Sequence, residues 1–160
     1  MPHNPKAPGK AKFRLPCACA NLRRAGRVVT RYYDAVLCPS GLQVTQFTLL
    51  QALKYASEIS QKQLADLLEI DSTTLTRTLA PLRRKGWLHS ETGEDRRELR
   101  HSLTTAGKRE YKRALPYWQS AQKGLKQALG TENWNQLLDA AVRTAEVVLK
   151  SESQGLPIPR

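Results

Sequence analysis

The chain has 160 residues, which is enough for one domain with a hydrophobic core. No apolar run approaches the length that spans a bilayer, and no signal-peptide core is found near the N-terminus, so we expect a cytoplasmic protein without a membrane partner. The 26 basic and 14 acidic residues give a formal net charge of +12, which favours a polyanionic partner. Neither an enzyme nor a cofactor is expected, because the sequence has no glycine-rich phosphate loop and no recognisable catalytic pair.

The N-terminal quarter is basic and free of acidic residues up to Arg31. Residues 1–15 are predicted to be a disordered basic arm because they are rich in Pro, Lys and Gly. A helix is predicted from about Cys17 to Leu37, with its arginines turned away from its apolar side. These are Arg23, Arg24, Arg27 and Arg31. A second helix is expected to be capped at Thr45 and to bury its apolar side chains, Phe47, Leu50 and Leu53.

Two short helices with a tight turn between them are predicted from their capping residues. Ser60 and Gln63 have the spacing of a capping box, in which each side chain accepts a hydrogen bond from the other's backbone amide. Asp71 is placed to cap the second helix of this pair, which follows directly after the turn. That helix has an apolar stripe formed by Leu75, Leu79 and Leu82. The pattern predicts a helix-turn-helix.

The opposite face of the second helix carries small, hydroxylated and basic side chains. They are Thr73, Thr76, Arg77, Ala80 and Arg84. No acidic residue occurs between Asp71 and Gly86, whereas an ordinary solvated helix face would be rich in Glu and Lys. Such a face suits insertion into a DNA groove. Pro81 is expected to bend the helix, and Gly86 to end it.

A β-hairpin is predicted after Gly86, with strands in WLHSE and RELRHSL and a loop between them. Arg96 and Arg97 lie at the loop tip, where arginines suit the minor groove, and Asp95 is expected to orient one of them. His89 and His101 fall on the two strands and are expected to face one another as a cross-strand pair. Two histidines alone are too few for a metal site, so no metal ligands are predicted in the hairpin. Helix-turn-helix and hairpin together describe a winged helix.

Two long helices are predicted beyond the hairpin. Thr104 or Thr105 is expected to cap the first, and Gly130 to end it before Thr131 starts the second. Pro116 should kink the first of them. Their apolar stripes exceed what a minimal winged helix can cover, so we expect a second copy of the chain to cover them.

Three blocks of sequence resemble the MarR-type transcriptional regulators. They are TTLTRTLAPLRRKGWL, GEDRRELRHSLTTAGK and GLQVTQFTLLQAL. The resemblance implies a mainly α fold with a small β wing, a winged helix-turn-helix flanked by N- and C-terminal dimerisation helices. It assigns residues 16–150 to one domain, with residues 60–103 as the DNA-reading head and 17–37 and 104–150 as dimerisation helices. It also implies a short strand at Glu58-Ile59 that pairs with the wing. Residues 151–160 are predicted to be a flexible tail because they contain Gly155, Pro157 and Pro159.

The predicted function is sequence-specific binding of double-stranded DNA by a homodimeric repressor on a pseudo-palindromic operator. The residues expected at the DNA are Thr73, Thr74, Thr76, Arg77, Arg84, Arg96 and Arg97. Among them Arg77 is the predicted guanine contact and Arg84 a phosphate contact. The alternative is a ligand- or protein-binding regulator of the same fold without sequence-specific DNA binding. The nearly balanced charge of residues 60–102, eight basic against seven acidic, favours that alternative.

Control by a small-molecule effector or by thiol oxidation is implied by the same resemblance. A ligand crevice is expected between the dimer helices and the DNA-reading head, and aromatic side chains are either its lining or plain core. They are Tyr32, Tyr33, Tyr111 and Trp118. Cys17 and Cys19 are candidate redox sensors because a helix N-terminus and nearby arginines favour a thiolate. For these residues and Cys38, packing and metal binding stay open, whereas a structural disulfide is not expected in the cytosol.

Overall fold

The computed structural model describes residues 16–93 and 98–153, with side chains described up to Ser151. The predicted basic arm, the wing-tip residues Asp95, Arg96 and Arg97, and the last seven residues lie outside this description. The chain divides into two compact units, and the boundary along the sequence falls between Tyr117 and Trp118. In the described ranges, no helix combines the length and apolarity that crossing a membrane requires.

Six helices and three strands make up the described chain. The helices are α1 (Ala18–Leu37), α2 (Val44–Ala56), α3 (Gln61–Leu68), α4 (Ser72–Arg84), α5 (Thr105–Leu129) and α6 (Thr131–Ser153). The strands are β1 (Glu58–Ser60), β2 (Leu88–Thr92) and β3 (Leu99–Leu103), and a short 3-10 turn, Cys38–Ser40, follows α1. The predicted mainly α fold with a small β wing is confirmed.

Helix α2 begins two residues earlier than predicted. Its N-cap is Gln43, which forms a capping box with Gln46, so the expected cap at Thr45 is wrong. The backbone N–H of Val44 donates to a carboxylate oxygen of Asp34 at 2.7 Å. That contact satisfies one of the free amides of the first turn, which lets the helix start at Val44.

The three strands form one antiparallel sheet in the order β1-β3-β2. The strand expected at Glu58-Ile59 is therefore confirmed, and Glu58 lies opposite Ser102. In the wing, Ser90 pairs with His101 and His89 pairs with Ser102. The expected pairing of His89 with His101 is wrong, because a shift of one residue in register places the two rings on opposite faces of the sheet.

The core of the first unit is formed by fully buried leucines and aromatic rings. Phe47, Leu50 and Leu53 of α2 are at most 1% exposed, as predicted. Tyr111 stacks on Phe47 with ring centroids 5.4 Å apart, and Tyr33 is also buried. Two of the four aromatic residues considered for a ligand crevice are thus part of the core.

The second unit contains the C-terminal half of α5 and the whole of α6. Both helices are continuous as predicted, and Pro116 lies inside α5 without ending it. Gly130 separates them with a φ of 79°, a left-handed conformation that glycine adopts without strain. Helix α6 leaves its apolar side chains 40–64% exposed. They are Leu137, Leu138, Val142, Val147, Val148 and Leu149.

Candidate nucleic-acid interface

The helix-turn-helix is built by two side-chain caps. Ser60 Oγ accepts from the backbone N–H of Gln63 at 3.2 Å, and Gln63 Oε1 accepts from the backbone N–H of Ser60 at 3.0 Å. Glu69, with a φ of 50°, makes the left-handed turn between α3 and α4. Asp71 then accepts from the backbone N–H and the hydroxyl of Thr74, at 2.8 and 2.6 Å. Both hydrogen bonds lower the pKa of Asp71, and the bond from the Thr74 hydroxyl has the larger effect.

Helix α4 has one buried and one exposed face, as its sequence predicts. Leu75, Leu79 and Leu82 have no exposed surface. The opposite side borders an open groove that also includes the start of α3. The groove residues are Gln61, Ser72, Thr73, Thr76, Arg77 and Ala80. The helix thus presents the predicted hydroxyl and guanidinium groups together on one surface.

Thr74 and Arg84 lie away from the centre of this groove. The Thr74 hydroxyl is held by the Asp71 carboxylate and the side chain is half-buried, so Thr74 supports the start of the helix. Arg84 is exposed in the last turn, next to Arg83. Lys85 follows with its ammonium 4.4 Å from the centroid of the Trp87 ring. This end of α4 is uniformly basic and suits contact with phosphates.

The charges of the DNA-reading head are sorted onto different surfaces. From Ser72 to Ser90 the sequence contains four basic residues and no acidic one. At the base of the wing, by contrast, Arg100 bonds both Glu58 and Glu98. The hydrogen bond that Arg100 donates to the Glu58 carboxylate is the main cause that raises the pKa of Arg100. The near neutrality of residues 60–102 therefore does not extend to the exposed face of α4.

A buried histidine is the main feature that sequence reasoning missed. His101 has no exposed surface, and its Nδ1 lies 2.9 Å from the Ser90 hydroxyl while its Nε2 lies 3.3 Å from Gln61 Oε1. Burial, and then the charge of Arg83, lowers the pKa of His101. The signal was the two-residue period of β3, which places His101 on the same face as Leu99 and buried Leu103.

The connection from the wing to α5 is held in place by the sequence TTAG, residues 104–107. Thr104 is the cap of α5: its hydroxyl accepts from the Gly107 N–H at 3.0 Å and donates to the Gly86 carbonyl at 2.7 Å. Its backbone N–H donates to the carbonyl of Trp87 at 3.1 Å. The motif thus ties the start of α5 to the end of α4 and the start of β2.

All three cysteines are free and exposed. Cys17 is the N-cap of α1, Cys19 is in its first turn and Cys38 follows its last residue. Across residues 16–93 and 98–151, no group of three or more His, Cys, Asp or Glu side chains is arranged to hold a metal ion.

Comparison with known proteins connects this geometry to one family. A family model described as the MarR family matches residues 40–98. The solved structure of the M. tuberculosis transcriptional regulator MosR in complex with DNA is 32% identical, with a TM-score of 0.74, and the match covers 88% of this chain and 99% of that one. A cysteine variant of E. coli MarR complexed with operator DNA is 25% identical, with a TM-score of 0.66, and covers 87% of this chain and 93% of that one.

A curated relative agrees with the solved structures. The uncharacterized HTH-type transcriptional regulator YwoH of Bacillus subtilis (strain 168) is 29% identical over 90 residues. That match spans 56% of this chain and 66% of YwoH, just under two thirds of its length. We conclude from the fold, the winged helix-turn-helix and these similarities that the chain belongs to the MarR family of transcriptional regulators.

Proposed function

We propose that this regulator is a sequence-specific DNA-binding protein that acts as a homodimeric repressor on a pseudo-palindromic operator. The observation that carries the proposal is the exposed face of α4, where Thr73, Thr76 and Arg77 border one open groove without an acidic neighbour on the helix. The caps at Ser60 and Asp71 fix where α3 and α4 start, and the buried leucines of α4 fix which face that helix presents. As a DNA-binding regulator it would act in the cytoplasm.

The predicted contact residues of α4 have roles that follow from their chemistry. Arg77 donates a bidentate pair of hydrogen bonds to guanine, while Thr73 and Thr76 contact neighbouring base edges. Thr74 acts through the Asp71 cap. Arg84, near the basic end of the helix, binds a phosphate and sets the register of the protein on the duplex.

The wing supplies a second contact. Arg96 and Arg97 enter the adjacent minor groove, and Asp95 orients one of them by a bidentate pair. Support for this comes from the base of the wing, where the backbone N–H of Gly93 donates to the carbonyl of Glu98 at 2.8 Å.

Dimerisation uses the helices outside the DNA-reading head. The exposed apolar side chains of α6 form a stripe that a second copy would cover, and Leu22 and Val28 of α1 are each 50% exposed. A two-fold symmetric dimer presents two copies of α4 to successive major grooves. Residues 17–37 and 104–150 are accordingly the proposed dimerisation helices.

The experiment that tests DNA reading compares two arginines of the same helix. Wild-type protein selects a duplex from a randomised library, and fluorescence anisotropy then measures Kd on that duplex and on every single-base variant. Arg77→Ala should weaken binding by about 1 to 3 kcal/mol and relax the preference at one base pair in each half-site. Arg84→Ala, the matched loss of charge, should weaken all duplexes alike and reduce the salt slope by about 1.

Two results would reject this assignment. Equal loss on selected and random DNA for Arg77→Ala would remove its base-reading role. Failure of the wild-type protein to prefer any sequence would leave the alternative, a ligand- or protein-binding regulator of the same fold.

Release from DNA by thiol oxidation is the proposed control that the exposed Cys17 and Cys19 support. Hydrogen peroxide would transfer one oxygen to a thiolate sulfur, giving a sulfenic acid, and leave as hydroxide. Peroxide should then abolish specific binding, and Cys17→Ser or Cys19→Ser should protect it, with Cys38→Ser as the matched control. Binding that is unaffected by peroxide would reject control by thiol oxidation and turn attention to a small-molecule effector.

A further inference from the structure

A chain of hydrogen bonds leads from the interior of the wing to the groove beside α4. It starts at Ser90, passes through buried His101 to Gln61, and continues from Gln61 Nε2 to the Thr76 hydroxyl at 3.1 Å. Gln61 is half-buried and is the first residue of α3, and its side chain borders the groove next to Thr76 and Arg77. A residue of α3 therefore contributes to the surface that α4 presents.

The direction of each hydrogen bond follows from Thr76, the last residue in this series of hydrogen bonds. The Thr76 hydroxyl donates to the Ser72 carbonyl at 2.8 Å, so its oxygen must accept from Gln61. Gln61 consequently turns its NH₂ group toward Thr76 and its carbonyl oxygen toward His101. His101 must then carry its hydrogen on Nε2, which leaves Nδ1 to accept from the Ser90 hydroxyl. Burial favours this neutral ring.

This arrangement restricts what Gln61 can offer to a ligand. A free glutamine both donates and accepts, and it pairs with adenine through both groups at once. In this structure the carbonyl oxygen of Gln61 is turned toward the buried His101 ring, which takes one of its two lone pairs. The amide nitrogen carries two hydrogens, of which Thr76 needs one, so the second remains for a group in the groove.

We propose that Gln61 is a further DNA contact that presents its NH₂ group as a donor, because the hydrogen bond to buried His101 turns its carbonyl oxygen toward the ring. The inference rests on the DNA binding proposed above. Its partner is a hydrogen-bond acceptor of DNA, either a base edge (guanine O6 or N7, adenine N7 or thymine O4) or a phosphate oxygen. His101 is a positioning residue, because it acts on DNA through Gln61.

The chain offers a matched pair of substitutions for the test. Gln61→Glu keeps the size of the side chain and can still accept from His101, but a carboxylate has no hydrogen to donate to DNA. Gln63→Glu adds the same charge two residues away on the same helix. It preserves the capping box, since Gln63 uses its side chain there only as an acceptor from the Ser60 N–H. The difference between the two variants reports the loss of the Gln61 NH₂ group, which donates to Thr76 as well as to the proposed DNA acceptor.

Anisotropy titrations on the selected duplex and its single-base variants give the first readout. Gln61→Glu should bind the selected duplex about five- to tenfold more weakly than Gln63→Glu does. If the partner is a base edge, the excess loss should occur only in duplexes that retain the base pair contacted by Gln61. A phosphate partner would spread it over all duplexes and lower the salt slope. Equal affinities of the two variants on every duplex would overturn the proposal while leaving the Arg77 result intact.

The second readout needs no DNA. Imidazole ¹⁵N chemical shifts of the free wild-type protein should show His101 as the neutral Nε2–H tautomer. The Nδ1–H tautomer would mean that Gln61 turns its NH₂ group toward the ring, and it would overturn the proposed orientation of Gln61 even if the protein binds its operator. Absence of any sequence preference in the wild-type protein would instead reject the proposed function, so the two failures are distinguishable.

Discussion

Gly107 provides a sharp test of how the wing is joined to α5. A Cβ at this position would lie 2.1 Å from the carbonyl oxygen of Trp87 and 3.2 Å from a methyl carbon of Leu103. The first distance is far shorter than a van der Waals contact, and the atom it meets is backbone. Gly107→Ala therefore requires the first turn of α5 to move away from Trp87.

The cost of that movement can be estimated from the bonds it breaks. Thr104 donates from its backbone to Trp87 and from its hydroxyl to Gly86, and each bond contributes about 1 kcal/mol. Overpacking costs a further 1 to 3 kcal/mol or so, while alanine regains about 1 kcal/mol of helix propensity. We expect a net loss of about 2 to 4 kcal/mol. For a chain of this size the midpoint of thermal unfolding should fall by about 4 to 16 °C.

Thermal unfolding followed by circular dichroism at fixed protein concentration measures this effect, because an oligomer's stability depends on concentration. Gly26→Ala in α1 is the matched control: nothing lies within 4 Å of its added Cβ, so the variant should gain up to about 1 kcal/mol. A Gly107→Ala protein as stable as the wild type would refute the close approach of α5 to Trp87. Both variants becoming more stable would show that helix propensity alone decides the outcome.

Three further predictions concern the DNA-reading head. Leu79→Ala should cost about 2 to 5 kcal/mol in urea unfolding because Leu79 is fully buried, whereas Leu67→Ala, at a residue 60% exposed, should change stability by less than about 0.5 kcal/mol; similar losses would contradict the assigned faces. Hydrogen bonds from Thr74 lower the folded-state pKa of Asp71, so its stabilisation should be complete above pH 3.8 and disappear as the pH falls through the folded-state pKa. Asp71→Asn should remove that pH dependence, and an unchanged acid limb of the stability curve would argue against the cap. The folded-state pKa of His101 is also lowered, from 6.5, because burial disfavours its charged form, so the unfolded chain binds the proton first and stability should fall by up to about 1.4 kcal/mol per pH unit below pH 6.5. Equal stabilities at pH 7.5 and pH 5.5 would contradict a buried neutral ring.

Residues close in sequence determined most of what was predicted correctly. The caps at Ser60 and Asp71 bond backbone groups three residues away, and the buried stripe of α4 recurs every three or four residues. Interactions of that range are encoded in the local pattern, so the helix-turn-helix, its exposed face and the wing strands followed from the sequence. The strand at Glu58 is different, because it came from resemblance to a family.

Contacts distant in sequence decided the rest. The start of α2 depends on Asp34, ten residues before Val44, and the need for glycine at position 107 depends on Trp87, twenty residues earlier. The partners of His101 depend on the register of β2 with β3 and on Gln61, forty residues away. Register and helix packing bring such groups together, and no local periodicity records which residue will be opposite. Local sequence therefore specified the helices and the chemistry of the α4 surface, whereas packing in three dimensions specified which polar groups are buried and which stay exposed beside α4.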